Sequence, residues 1–210
     1  MDTTIRTIGS VEELREVIGE PAEIIRAKLA DHLNDLTRQF IESSPFLCIG
    51  TARPDGGLDV SPRGDPRGFV RILDDTALLL PERPGNRLAD TLTNLLVDPR
   101  IALLFLIPGV GDTFRVNGTA VITDDRELLE PSEVEGKVPK LGIIVTVKEA
   151  YTQCAKAILR SDLWNPENHI KRSDLPSSGE ILRSLSKPDL DVGEYERERD
   201  ARYARREGFY

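Results

Sequence analysis

Between residues 46 and 147 the apolar residues fall in short runs, some nearly continuous and some alternating at every second position, broken by turn residues. That pattern restricts the segment to a sheet made largely of neighbouring antiparallel strands. Phe46–Ala52 is a nearly continuous apolar run, closed by the turn Pro54-Asp55-Gly56-Gly57. Leu58–Ser61, Phe69–Leu73 and Ala77–Leu80 follow, the last two flanking Asp74-Asp75-Thr76 as a hairpin. Ile101–Ile107 reads as a strand buried on both faces. Phe114, Val116, Gly118, Ala120 and Ile122 share one side of a sixth strand, and Ile143, Val145 and Val147 one side of a seventh, Gly142–Val147. One helix interrupts the series after the fourth strand. Gly85-Asn86 opens it, Leu88, Leu92, Leu95 and Leu96 share a face, and Asp98-Pro99 closes it. Strands this short and close favour an antiparallel barrel over a parallel sheet with crossover helices. The dinucleotide fingerprint GxGxxG is absent.

The flanks read as helix. Ser10 with Glu13 forms a capping box ahead of Val11, Leu14 and Ile18. Pro21 suits the first turn of a second helix, whose face carries Ile25, Leu29, Leu33, Leu36 and Phe40 and which Pro45 ends. Residues 150–164 read as helix, 165–193 as a polar excursion, and 194–210 as a solvated helical tail. Tyr195, Tyr203, Phe209 and Tyr210 give that tail an apolar edge suited to a partner subunit. The expected organisation is N-terminal helices over 1–45, a barrel core over 46–164 and a C-terminal appendage over 165–210.

Composition excludes several functions. Lys and Arg total 28 against 36 Asp and Glu, a net charge of −8. That argues against nucleic-acid binding through bulk positive charge and against a polybasic membrane anchor. Ile101–Ile107, the longest apolar run, is too short to span a bilayer, and MDTTIRTIGS has no apolar leader core. Cys48 and Cys154 are far apart, and His32 and His169 are the only histidines. No disulfide framework or multi-histidine metal centre is expected, and a reducing cytoplasm fits. Hydrolase, P-loop and EF-hand motifs are missing.

Three segments carry residues suited to chemistry. Val60-Ser61-Pro62-Arg63-Gly64 leaves a strand with a hydroxyl and an arginine between proline and glycine. Arg63 could fork onto a phosphate or a carbonyl edge; an irregular surface loop accounts for the same residues. Asn86 and Arg87 lie where a loop meets a helix start. Free N–H groups and the helix dipole favour an anion there, although a plain helix cap has the same composition. Lys156 and Arg160 share a helix face that leads to Trp164, which could stack on a planar ligand or anchor the helix end.

Taken in order, these landmarks resemble the FMN-binding split β-barrels related to pyridoxamine 5′-phosphate oxidase. Gly50-Thr51 and the Pro-Asp-Gly-Gly turn come first, then Ser61-Pro62-Arg63-Gly64 and Gly85-Asn86-Arg87 leading to Asn94-Leu95. Asp98-Pro99-Arg100, Leu104-Phe105, Pro108-Gly109, Arg115-Val116-Asn117-Gly118 and the Cys154–Trp164 segment complete the set. The resemblance implies a mainly β, α+β fold: an antiparallel Greek-key split barrel with flanking helices that forms a homodimer with two FMN sites in the interface. It assigns Val60, Ser61, Pro62, Arg63 and Gly64 to the flavin ring and its chain, and Asn86 and Arg87 to the phosphate. Asn94, Thr113 and Arg115 are further candidates, and Lys156 and Trp164 would reach FMN from the second subunit.

Two departures separate the chain from the oxidase proper. Arg63 is followed by Gly64-Asp65-Pro66 instead of an Arg-x-Val-Leu-Leu-Lys strand. The C-terminal stretch is Arg205-Arg206-Glu207-Gly208-Phe209-Tyr210 instead of a segment closing in Arg-Leu-x-Pro. The expectation is therefore an FMN-dependent oxidoreductase acting on a small molecule other than a vitamin B6 phosphate. The alternative is a non-catalytic sensor or carrier of FMN, of the deazaflavin F420 or of haem.

Overall fold

The computed structural model describes residues 5–210. Its order is α1 (Val11–Ile18), α2 (Glu23–Ala27), α3 (Asp35–Ser43), β1 (Phe46–Ala52), β2 (Leu58–Gly64), β3 (Arg71–Asp74), β4 (Ala77–Glu82), α4 (Asp90–Val97), β5 (Arg100–Leu106), β6 (Thr113–Thr123), α5 (Arg126–Leu129), β7 (Leu141–Gln153), α6 (Lys156–Ser161), α7 (Ser178–Leu185) and α8 (Val192–Ala204). No helix among the described residues is long and apolar enough to cross a membrane.

The seven strands form one antiparallel sheet in the order β2-β1-β5-β6-β7-β4-β3. The fold is thus α+β, with helices flanking an antiparallel sheet. The sheet does not close: its edge strands β2 and β3 are not paired to each other. It curls around a single core of Leu47, Ile49, Leu78, Leu80, Leu103, Phe105, Phe114, Val116, Ile143 and Val145. Burying each large side chain of this set contributes roughly 1.5–3 kcal/mol. From α3, Phe40 stacks on Phe114, ring centroids 5.7 Å apart, and Ile41 is fully buried.

At one position the packing permits only glycine. Between β6 and β7 the register shifts after Asn117, leaving Lys148 without an opposite residue. A Cβ on Gly118 would run into the Thr146 carbonyl. A bulge of this kind adds twist, which the curled sheet requires.

Four expectations are corrected. The helix expected from Pro21 to Ser44 is broken in two. Residues 28–34 leave the helix because Ala30 bridges Ala150 and the Leu33 amide donates to the Asp75 carbonyl at 2.7 Å. Leu33 is buried there, Leu29 and Leu36 are left exposed, and Asn34 caps α3 by accepting from the Leu36 and Thr37 amides. The strand at Ile101–Ile107 is not buried on both faces. Ile101, Leu103 and Phe105 point inward, while Ala102 is exposed on the outer face and Leu104 and Leu106 are half-buried. The helix expected from residue 150 starts at Lys156, because β7 stays paired with β6 as far as Gln153. The helix expected at Gly85-Asn86 starts at Asp90.

Candidate functional site

β2 is a strand through Gly64, so Ser61–Gly64 is sheet and not strand exit. Pro62 is tolerated because β2 is an edge and needs no donor on its free side. The three polar residues Asp59, Ser61 and Arg63 alternate on one face of β2, while Leu58 and Val60 are exposed on the other. That polar face looks across the open side of the sheet toward the end of β4 and the segment leading to α4. Between them lies a cleft of about 470 Å³ lined by Asp59, Ser61–Asp65, Phe69 and residues 81–92. This size suits a small-molecule site. The two segments singled out in the sequence, Ser61–Gly64 and Asn86-Arg87, therefore meet in one cleft.

Two arginine–carboxylate pairs stitch the opening. Arg63 Nε lies 3.3 Å from Glu82 Oε2, and Arg63 Nη1 donates to Ser61 Oγ at 2.7 Å and to the Pro62 carbonyl at 3.0 Å. Arg83 Nε lies 2.6 Å from Asp65 Oδ2, and its Nη2 donates to the Ser132 carbonyl at 2.8 Å. The Asp65 side chain is 2% exposed. Ion pairs this sheltered cost several kcal/mol to break by removing one partner, since the survivor stays desolvated. From the C-terminal tail, Tyr210 donates its hydroxyl to Asp65 Oδ1 at 2.8 Å, with the Arg83 guanidinium 5.2 Å from its ring. The Asp65 hydrogen bond, with help from burial, pushes the Tyr210 phenol above its ordinary range.

Arg87 differs from these arginines. Among the described residues no carboxylate pairs with it, although it lines the cleft. Its φ is 66° and that of Ala89 is 57°, left-handed conformations that a non-glycine residue adopts at a cost. Asn86 stabilises the turn by accepting from the Leu88 amide at 3.0 Å, and is not the helix cap expected from sequence. The cap position is Ala89, whose side chain satisfies none of the first N–H groups of α4. An unpaired cation and an uncapped helix start thus face one cleft, with the Asp90 carboxylate at the first position of α4 also among its lining residues.

The remaining candidates lie elsewhere. Asn94 is buried on the inward face of α4, where its Nδ2 donates to Thr51 Oγ1 at 3.0 Å. Val60, Thr113 and Arg115 line a groove of about 400 Å³ on the outer face of the sheet, together with Cys48, Ala102 and Ile158. The Arg115 guanidinium sits 5.3 Å from the Tyr151 ring centroid. Lys156 is exposed at the start of α6, and Trp164 donates its indole N–H to the Val110 carbonyl at 2.8 Å. Within one chain this outer group does not join the cleft.

Asp59, Asp65, Glu82, Arg83 and Tyr210 were not anticipated. The sequence does hold one pointer: β2 alternates Asp, Ser and Arg against apolar residues, so its polar side needed a destination. The Asp65–Arg83 pair and the return of Tyr210 across 145 residues have no local signature.

The family model described as pyridoxamine 5′-phosphate oxidase matches residues 33–154, more than half of the chain. The chain belongs to that family. No curated protein sequence matches it. Solved structures that match part of the chain include HupZ from Group A Streptococcus, 17% identical with a TM-score of 0.47, covering 58% of this chain and 94% of that one. A conserved hypothetical protein from Mycobacterium tuberculosis is 16% identical with a TM-score of 0.44, covering 70% and 98%. General stress protein 26 from Bacillus anthracis is 16% identical with a TM-score of 0.41, covering 57% and 94%.

Proposed function

We propose that this protein binds FMN in the cleft between β2 and residues 81–92, and that it is a flavin-dependent oxidoreductase acting on a small molecule. The observation that carries the reading is Arg87. An otherwise unpaired cation, on a strained left-handed turn, precedes an uncapped helix start and faces the same cleft as Ser61 and Arg63. Strain kept at such a point fits a binding function better than a purely structural one.

The residues present fit the group. Arg87 and the first N–H groups of α4 would hold the phosphate. Arg63, clamped by Glu82 and Ser61, would present donors toward the ring at fixed geometry. The Asp65–Arg83–Tyr210 assembly would keep the wall of the cleft rigid. Bound FMN would supply the hydride or electron transfer, which no side chain of the cleft needs to perform. The apolar outer face around Ala102 and Val60 would pair with a second copy, bringing Thr113, Arg115, Lys156 and Trp164 toward the partner's cofactor.

Titration of the purified protein with FMN tests the reading. The expected result is tight binding in wild type and at least about tenfold weaker binding in Arg87→Ala, with the melting temperature of the apoprotein unchanged. Equal affinity in both proteins would remove Arg87 from the site. Binding of F420 in place of FMN would keep the cleft and change the cofactor. Stable flavin binding without turnover by any reductant would favour a sensor or carrier.

A further inference from the structure

Four carboxylates line the cleft, and one of them, Asp90 at the start of α4, is exposed to solvent. Glu82 has Arg63, and Asp65 has both Arg83 and Tyr210. Asp59 has nothing. Among the described residues it takes part in no hydrogen bond or ion pair, and its Oδ2 is fully covered. Its cross-strand neighbour Thr51 makes no hydrogen bond to it; the Thr51 hydroxyl instead meets the Asn94 amide. A covered polar oxygen without a donor is destabilising. Asp59 lines the cleft, so a donor arriving there can reach its carboxylate, whose charge is shared by the two oxygens.

We infer that Asp59 is the acceptor for the ring N3–H of the bound flavin; this rests on the flavin reading above. The pyrimidinedione edge of that ring offers an N–H between two carbonyls. It needs an acceptor flanked by donors. Ser61 lies two residues along the same face of β2, about 7 Å in backbone terms. Its Oγ already accepts from Arg63, which leaves its own hydrogen to donate. Carboxylate beside hydroxyl is thus the complement of N–H beside carbonyl. With the phosphate at Arg87 on the facing wall, Asp59 would determine which edge of the ring enters the cleft first. A negative group there also disfavours electron gain, so it would hold the potential of the bound flavin down.

The test compares FMN with FMN methylated at N3, using wild type, Asp59→Ala and Asp59→Asn, alongside melting curves of the three apoproteins. Wild type is expected to prefer FMN by about tenfold or more, the worth of one hydrogen bond to a charged acceptor. Asp59→Ala should bind both flavins within about twofold of each other. Asp59→Asn should raise the potential of bound FMN. Neither apoprotein variant should melt below wild type, because an unsatisfied carboxylate has been removed. Equal affinity of wild type for the two flavins, or full preference retained in Asp59→Ala, would overturn the assignment while leaving the flavin site intact. A fall in melting temperature with the preference unchanged would make Asp59 structural. Failure of wild type to bind FMN at all would overturn the assignment and the flavin reading together.

Discussion

At the residue scale, the molecule separates side chains that hold the sheet from side chains that await a ligand. Gly118 belongs to the first kind. Its missing Cβ admits the Thr146 carbonyl at the β6–β7 bulge, so Gly118→Ala must push two central strands apart. The expected loss is about 2–3 kcal/mol in a denaturant melt, the upper part of the range for overpacking a tight site. A loss below about 0.5 kcal/mol, the level of an ordinary surface change, would show that the bulge opens freely. Arg87 and Asp59 belong to the second kind. The two differ in how far the sequence marks them. A cation beside Gly85-Asn86 announces an anion site, whereas an aspartate in an alternating strand looks like ordinary solvent-facing polarity. Its orphaned state emerges only in the folded chain, where its Oδ2 is covered and meets no donor.

At the element scale, the sheet was legible and the helices less so. Seven strands follow from period-2 runs and turn residues, since both are local. The break between α2 and α3 is not local: Ala150 and Asp75 claim residues 30–33, and that pairing overrides a good helical face. Asn34, ahead of Asp35 and Thr37, is the capping signature that marks the true start of α3. The tail behaves similarly. Equal numbers of acidic and basic residues after Gly193 gave a solvated helix, and α8 is one. Its continuation, however, returns to the cleft wall. Arg206 pairs with Glu135 at 3.1 Å, and Lys137 Nζ donates to the Tyr210 carbonyl at 3.0 Å.

The Tyr210–Asp65 bond gives this docking a pH dependence. The phenol is shifted up in the folded chain, so the folded state holds its proton more tightly. The associated stability is complete below the ordinary tyrosine range near pH 10.0 and is lost as pH rises through the shifted value. In an ultraviolet titration, a tyrosine step should appear above the ordinary range, and Tyr210→Phe should abolish it. Tail cleavage by a protease at neutral pH should quicken in the same variant. Unchanged cleavage and an unchanged titration would detach the tail from the cleft.

At the scale of the whole molecule, the open sheet explains why a binding cleft exists. Had β2 paired with β3, backbone hydrogen bonds would have sealed the side where Asp59, Ser61 and Arg63 now face residues 81–92. Two ion pairs hold the gap at a fixed width instead. The other face poses the opposite problem: Leu58 is 82% and Val60 70% exposed in a single chain. Exposed apolar surface of this kind favours association. The proposed homodimer predicts that Ala102→Glu, a charge placed in the middle of that face, yields a monomer in light scattering and loses FMN with it. A wild-type protein that is itself monomeric would remove the partner from the site.

The central claim is that the cleft beside Arg87 holds a flavin by its phosphate. The most direct measurement is the visible absorbance of the purified protein titrated with FMN, and separately with riboflavin, in wild type and Arg87→Ala. The account predicts an oxidised-flavin spectrum, perturbed on binding, for wild type with FMN. It further predicts much weaker binding of riboflavin, which lacks the phosphate, and an Arg87→Ala variant that treats the two flavins nearly alike. A wild type that binds FMN and riboflavin equally well, or binds neither, would contradict it.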